Sequence, residues 1–444
     1  LQPRSYSVRS SQGSDLTPNL ILSLNLYLSL NLFLFPHLPP WHALDLRVSI
    51  GPTTGLPRFP GSKWLMADGV NQFFWRFQMG SRVINFSAGP AGLPLPALEK
   101  ARDELLDFEG TGMSIMEMSH RSKAYDKVHC DAIALVKELL GVPDNYSIMF
   151  LQGGANLQFA MLPMNILGGG KKADYIISGH WAQSAWKEAC KVAGKENARA
   201  IASTESEDFR RLPRPDEYTI NADAEYVHIC TNNTIYGTQY HTFPETGSVP
   251  LVADMSSDIM WAPVDVSKFA FIYAGAQKNI GPSGVLLAIM RNDFLDKCRD
   301  DLPNMLKYKL QAEKNSLFNT PPTFGIYLLK NVLEYNKSIG GLAVIEKNNR
   351  RKGELLYGFI DANAEFYRPW VTVKADRSLM NVDFHLPTPE LDEAFVNEAK
   401  KANMTGLKGY RTMGGIRVSM YNAVTVANIE YLVDFMASFK TRNT

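Results

Sequence analysis

An α/β domain on a mostly parallel sheet, followed by a smaller α+β domain, is the architecture this sequence predicts. From Ser81 onward, short apolar runs alternate with amphipathic stretches of helical period. Runs apolar at consecutive positions suit strands buried on both faces. After Pro322 the alternation gives way to two long helical stretches and then to mixed strands and helices, an α+β order.

Residues 1–80 stand apart from this pattern. Positions 19–35 (NLILSLNLYLSLNLFLF) alternate leucine with asparagine and serine, and proline-rich text follows through Pro60. The stretch is about as long as a short membrane span, but polar residues at this density make crossing a bilayer unfavourable. Arg4 and Arg9 precede the apolar part, so one reading is an import signal. The favoured reading is a translated extension outside the fold, with Met79 a sensible start for the catalytic chain.

The strands expected next are 82–86, 147–151 (SIMFL), 174–177, 226–230 (YVHIC), 249–253 (VPLVA), 269–273 (FAFIY) and 285–290 (VLLAIM), with helices over 157–167 and 181–192. Only a loop separates the last two strands, so one antiparallel pair is expected. Helices at 324–338 and 342–359 follow, then strand-like pieces at 366–374 and 380–385. A helix at 389–402, a strand at 415–420 and a final helix from Val426 complete the chain. The expected division is a non-catalytic extension at 1–80, a segment 81–95 packing with the small domain, a large domain 96–338 and a small domain 339–444.

Composition excludes several function classes. The 444 residues carry a formal net charge of +1, with 45% hydrophobic and 20% charged residues, so no global field favours nucleic acid or an acidic membrane. Cys130, Cys190, Cys230 and Cys298 form no CxxC pair, and the eight histidines show no HExxH spacing. Neither a disulfide framework nor a metal site is expected, and a reducing cytoplasmic setting fits best.

In open α/β sheets, ligands bind beyond the carboxyl ends of strands. After 147–151 come Gly153, Gly154, Ala155 and Asn156 at a helix start, whose backbone N–H groups suit a phosphate, though an ordinary glycine turn would look the same. Past 174–177 lies Trp181, able to stack on a flat ring or simply to fill core. Strand 226–230 is followed by Thr231, Asn232, Asn233 and Thr234, suited equally to a ring substituent or a turn. Asp254 follows 249–253; a carboxylate there needs a cationic partner such as a protonated pyridine, unless it caps the next helix. Lys278 follows 269–273 in an apolar, glycine-rich context that would depress its pKa and free its amine to attack a carbonyl. A surface-loop lysine is the alternative. Each signal is weak alone, but their order along successive strands matches the parts of a pyridoxal 5′-phosphate (PLP) site.

The chain from Ile84 resembles the phosphoserine aminotransferases, class V enzymes of PLP-dependent transferase fold type I. The resemblance rests on 85–90 (NFSAGP), 116–121 (MEMSHR), 274–284 (AGAQKNIGPSG), 318–324 (FNTPPTF), 407–409 (LKG) and 414–417 (GGIR). It implies a seven-stranded-type mixed sheet in the large domain and a homodimer with shared active sites. Lys278 would condense with the cofactor aldehyde and carry the proton between substrate Cα and cofactor C4′. Trp181 would stack on the ring, Asp254 would pair with its nitrogen and Thr234 would face its hydroxyl. Ala155, Asn156 and Gln277 would hold the phosphate, with Asn319 and Thr320 from the second subunit. Ser87 and Arg417 would serve the substrate, Arg417 taking the α-carboxylate. His120 and Arg121 of the second subunit, with Arg411 and Tyr410, would take the distal anion.

The implied reaction exchanges the amino group of L-glutamate with 3-phosphohydroxypyruvate, and extends to a related phosphorylated hydroxythreonine in vitamin B6 synthesis. Tyr410 stands where the resembled family has histidine, which implies a changed affinity for the distal anion. The glycine turn at 153–154 also departs from the more common form, while keeping its backbone donors. An alanine–glyoxylate type enzyme, a cysteine desulfurase and a non-enzymatic phosphate-binding module are the competing readings. The desulfurase needs a cysteine in a mobile loop, which none of the four occupies in sequence.

Overall fold

The structure, a computed structural model, describes residues 82–444. The extension at 1–80, with Met79, lies outside the described residues.

Seven strands form the central sheet: β2 (Tyr146–Leu151), β3 (Lys172–Ile177), β4 (Ala198–Ser203), β5 (Ala224–Cys230), β6 (Leu251–Asp254), β7 (Phe271–Gly275) and β8 (Leu286–Arg291), preceded by the short β1 (Ile84–Asn85). Their order is β2-β8-β7-β6-β5-β3-β4. Only β8 runs against its neighbours, pairing antiparallel with both β7 and β2. The other six strands therefore point the same way, and the loops after β2, β3, β5, β6 and β7 emerge along one edge. That single reversal is what gathers the five sequence signals in one place.

Consecutive apolar residues fill both faces of the sheet. Val227, Ile229, Leu251, Ala253, Ile272 and Leu287 pack into one layer, whereas Tyr226, Val252, Phe271, Tyr273, Leu286 and Ala288 pack into the other. This period-two division of unbroken apolar runs is what helices on both faces require. The helices are α1 (Leu95–Asp103), α2 (Lys123–Leu140), α3 (Gly154–Ile166), α4 (His180–Ala193), α5 (Asn292–Leu295), α6 (Tyr308–Glu313), α7 (Thr323–Ser338), α8 (Gly341–Ala362), α9 (Pro389–Lys401) and α10 (Val426–Asn443).

Strand β6 starts two residues later than the sequence suggests. Pro250 has no N–H to give a ladder, and its carbonyl accepts from Val227 N at 2.8 Å instead. Asp254 thereby becomes the last residue of the strand rather than the first beyond it. The strand expected at 366–374 shrinks to β9 (Arg368–Pro369), which with β10 (Asn381–His385) and β12 (Ile416–Ser419) makes an antiparallel sheet. The N-terminal β1 pairs in parallel with β11 (Met404–Thr405).

One buried cation fixes the turn after β12. Lys352 of α8 is 1% exposed, and its Nζ donates to the carbonyls of Met420, Tyr421 and Val424 at 2.7, 2.9 and 2.9 Å. Burial pushes the ammonium down to about 7. Tyr421 O also accepts from Val424 N at 2.9 Å, so Lys352→Met would strand the two buried carbonyls of Met420 and Val424, and we expect a loss of about 2–3 kcal/mol, read as a lower urea midpoint at unchanged slope. An unchanged midpoint would show that water replaces the ammonium without cost.

Candidate active site

The loop after β2 turns sharply into α3. Gly153 has φ +82°, and a Cβ there would come within 2.5 Å of Leu157 Cδ2. The turn thus requires glycine, and it presents the free N–H groups of the first helical turn, including those of Ala155 and Asn156. After β3, Gly179 caps α4, and Trp181 is its second residue. The indole is half-buried, and its Nε1 has no hydrogen-bond partner among the described residues.

Lys278 lies just beyond β7, and its Nζ donates to Thr234 Oγ1 at 2.7 Å. The same nitrogen is 5.7 Å from the centroid of the Trp181 ring. Burial lowers the lysine pKa, while the nearby Asp254 carboxylate works against that. Gly89 approaches from the N-terminal segment with φ +140°; a Cβ there would sit 3.3 Å from Lys278 Cγ.

Asp254 is buried, and burial raises its pKa against the opposing effects of Lys278 and Ser256. Its Oδ1 accepts from Ser256 N at 2.9 Å and Ser256 Oγ at 2.6 Å. Ser256 Oγ in turn accepts from Gly275 N at 3.0 Å, tying the carboxylate to the end of β7. Among the described residues no donor is bonded to Oδ2, which leaves that oxygen for a ligand.

The neighbouring polar residues mostly serve the scaffold. Asn232 Nδ2 donates to Ser257 Oγ and Asn381 Oδ1, and Asn233 Nδ2 donates to the Ser178 carbonyl. Thr231 Oγ1 donates to Asp258 at 2.5 Å and Gln239 Nε2 donates to it at 3.2 Å. Burial pushes the Asp258 carboxyl up to about 7. Of the four residues after β5, Thr234 alone reaches Lys278.

Arg417 stands on β12 opposite Asp383. Its Nη1 donates to the Thr234 carbonyl at 3.2 Å, its buried Nε has no partner among the described residues, and its guanidinium carbon lies 5.9 Å from the Tyr410 ring. Burial raises the Asp383 carboxyl well above the usual range, against the pull of Arg417. A cavity of about 400 Å³ is lined by Ser87, Gly89, Lys400, Lys408 and Arg417. A larger hollow of about 680 Å³, lined by Arg214, Tyr240 and Phe243, touches neither Lys278 nor Asp254.

The remaining candidates lie elsewhere. His120 and Arg121 precede α2, with the His120 Nε2 buried and unpartnered and Arg121 exposed. Asn319 donates to the Thr320 carbonyl at 3.1 Å, on a segment where Thr320 is exposed. Among the described residues none of the four has a side-chain hydrogen bond to Lys278 or Arg417.

Residues 83–432 match the family described as Aminotransferase class-V. The chain belongs to the class V aminotransferases. This class V aminotransferase is 50% identical over 365 residues to the phosphoserine aminotransferase of Lysinibacillus sphaericus, covering 82% of this chain and 100% of that one. It is 52% identical over 359 residues to that of Halalkalibacterium halodurans, covering 81% and 98%. Among solved structures, the phosphoserine aminotransferase of Bacillus circulans subsp. alkalophilus is 46% identical with a TM-score of 0.80, covering 82% of this chain and 100% of that chain. The PLP-bound enzyme of Trichomonas vaginalis is 34% identical with a TM-score of 0.75, covering 80% and 100%. The fold of this class V aminotransferase, with its mixed seven-stranded sheet, is therefore the PLP-dependent transferase fold that the sequence predicts.

Sequence reasoning missed two supports of the class V site. Asn279 follows Lys278 directly; its Nδ2 donates to the Ile259 carbonyl, and its Oδ1 accepts from Asn422 N at 2.8 Å. The lysine loop is thereby locked to the turn that Lys352 holds. Asp258, four residues past Asp254, gave no signal, because its partners Thr231 and Gln239 come from distant segments.

Proposed function

We propose that the chain transfers the amino group of L-glutamate to 3-phosphohydroxypyruvate, yielding 2-oxoglutarate and O-phospho-L-serine. One observation carries the reading: a half-buried, depressed-pKa lysine lies beside an indole whose N–H has no partner among the described residues and near a buried carboxylate with a free oxygen. Those residues fit PLP. The N–H groups at the start of α3, with Gln277, would hold its phosphate, Trp181 its ring face and Asp254 its nitrogen. When bound, PLP supplies an electron sink for the bond electrons released at the substrate Cα.

The chain's residues do the rest. Lys278 Nζ takes the proton from the substrate Cα and returns it on the cofactor side, and Thr234 Oγ1 holds that nitrogen in place between transfers. Arg417, with Ser87 nearby, binds the α-carboxylate bidentately and fixes which Cα bond faces the lysine. Arg411 and Tyr410 bind the distal anion, joined by His120 and Arg121 of a second copy. One arginine-rich distal site then serves both a phosphate and the glutamate carboxylate.

A homodimer is part of the proposal. Exposed apolar side chains gather beside the segments that must reach the other copy: Met113 and Met116 are 44% and 53% exposed, and Phe318 is 36% exposed. Mixing Lys278→Ala with Arg121→Ala chains should restore activity to about a quarter of the parent, since half the dimers would be hybrids with one intact site. No recovery on mixing would place Arg121 in its own chain's site. Residues 96–338 and 339–444 are proposed as the large and small domains, and the cytoplasm as the setting. Among the described residues no helix is long and apolar enough to cross a membrane.

The direct test is a coupled assay on a chain starting at Met79, with glutamate and 3-phosphohydroxypyruvate. Formation of 2-oxoglutarate is expected; turnover with glyoxylate but not with the phosphorylated acid would defeat the substrate reading. Arg417→Ala should raise KM for glutamate and for the phosphorylated keto acid alike, by about 100-fold each. An effect on the phosphorylated substrate alone would mean that the two anion sites are interchanged.

A further inference from the structure

The mouth of the site holds one imidazole that the reaction as derived leaves unused. His180 opens α4, immediately before Trp181. Its ring meets the indole edge-on with centroids 5.0 Å apart, and lies 6.3 Å from the Tyr410 ring at a 42° tilt. Tyr410 continues the row to the Arg417 guanidinium. The imidazole therefore bridges the indole of the large sheet's edge and the 410–411 turn. It is half-buried.

We propose that His180 is a specificity-determining residue of the distal-anion site, binding the substrate phosphate beside Arg411 and favouring a dianionic phosphate over a carboxylate. The proposal deepens the substrate reading above and rests on Arg411 holding the distal anion. Partial burial, and then the cations Lys187 on its own helix and Arg411 from the facing turn, hold the His180 imidazole toward its neutral form. Among the described residues no hydrogen bond contributes to that balance.

The selectivity follows from charge counting. With Arg411 and the second copy's Arg121 both at the distal anion, a carboxylate leaves one positive charge unbalanced beside the imidazole, which therefore stays neutral and can offer only an N–H. A phosphate dianion brings a second negative charge at the same place. That charge offsets the repulsion from Arg411 and stabilises the imidazolium, turning a neutral hydrogen bond into a charge-assisted one. The residue thus adds more to phosphate binding than to glutamate binding. It sits on a helix that also carries the stacking indole, so the phosphate contact and the ring contact are set by one rigid element.

The test compares the parent holoenzyme with His180→Gln, which keeps a donor and cannot become cationic. KM for 3-phosphohydroxypyruvate and Kd for O-phospho-L-serine are expected to rise about tenfold, with KM for glutamate changed less than about twofold. Inorganic phosphate, used as a competitor against glutamate, should lose affinity in parallel. An unchanged cofactor absorbance in the variant would show that Trp181 has kept its place. Equal losses for glutamate and the phosphorylated substrates, or no loss for either, would overturn the inference. His180→Asn repeats the comparison should the glutamine variant fold poorly. A parent enzyme that uses glutamate but ignores every phosphorylated acid would instead defeat the substrate reading, and this inference with it.

Discussion

Lys278→Ala should lower kcat for transamination by about 10⁴-fold, some 5 kcal/mol of barrier, which is the upper end of what a positioned proton-transfer group contributes. The geometry makes the expectation specific. Lys278 Nζ is held by Thr234 Oγ1, faces the indole, and has no other side-chain hydrogen bond among the described residues. Its lowered pKa keeps more of the amine as free base near neutral pH, the form that can attack an aldehyde or accept a proton. The variant should still bind PLP through the α3 turn, Trp181 and Asp254, because none of those contacts uses the amine. Borohydride treatment should fix the cofactor covalently at position 278 in the parent and leave the variant unlabelled. Turnover near the parent rate in Lys278→Ala would sink the assignment, and a colourless parent that borohydride leaves unlabelled would favour a non-enzymatic phosphate-binding module.

Much of this site was legible because its parts follow strands that are apolar at consecutive positions. Runs such as YVHIC and FAFIY are unmistakable in sequence, so Thr234 and Lys278 could be placed at strand ends before any fold was known. Strand β4 escaped for the converse reason: it lies at the sheet edge, with a half-exposed ARAIAS text whose small residues carry little apolar signal. Helix α2 escaped despite local signals, Ser122 accepting from Tyr125 N and a left-handed Gly141 closing the other end. What sequence could not show is pairing across distance. His180 was visible as the neighbour of Trp181, yet its position against Tyr410 depends on the chain from 181 to 409 coming back to the same edge. The triple carbonyl grip of Lys352 is equally silent, because backbone acceptors leave no residue signature.

Asp254→Ala should lower kcat by about 10³-fold, the scale found when a single preorganised electrostatic partner is removed from a dry site. Asp254 ends a buried strand, and burial alone would push it toward the neutral acid. Two features keep it available as a carboxylate: the pair of donors from Ser256 on Oδ1 and the cation at Lys278. With the cofactor bound, Asp254 would pair with its protonated ring nitrogen, which would supply the counter-charge that a buried carboxylate needs. Removing the carboxylate leaves that nitrogen without a partner for its proton and weakens the electron sink on which loss of the Cα proton depends. The effect should fall on kcat, with KM for both substrates nearly unchanged, since on this reading Asp254 would serve the ring and not the anion sites. Borohydride should still label Lys278 in this variant, which separates lost chemistry from lost cofactor. Asp254→Glu is expected to recover little, because Ser256 N and Oγ, the latter held by the Gly275 N–H, anchor the carboxylate at a fixed distance from the strand end. If Asp254→Ala kept parental kcat with bound cofactor, the carboxylate would be a turn-forming residue only, and the ring would have to lie in another orientation.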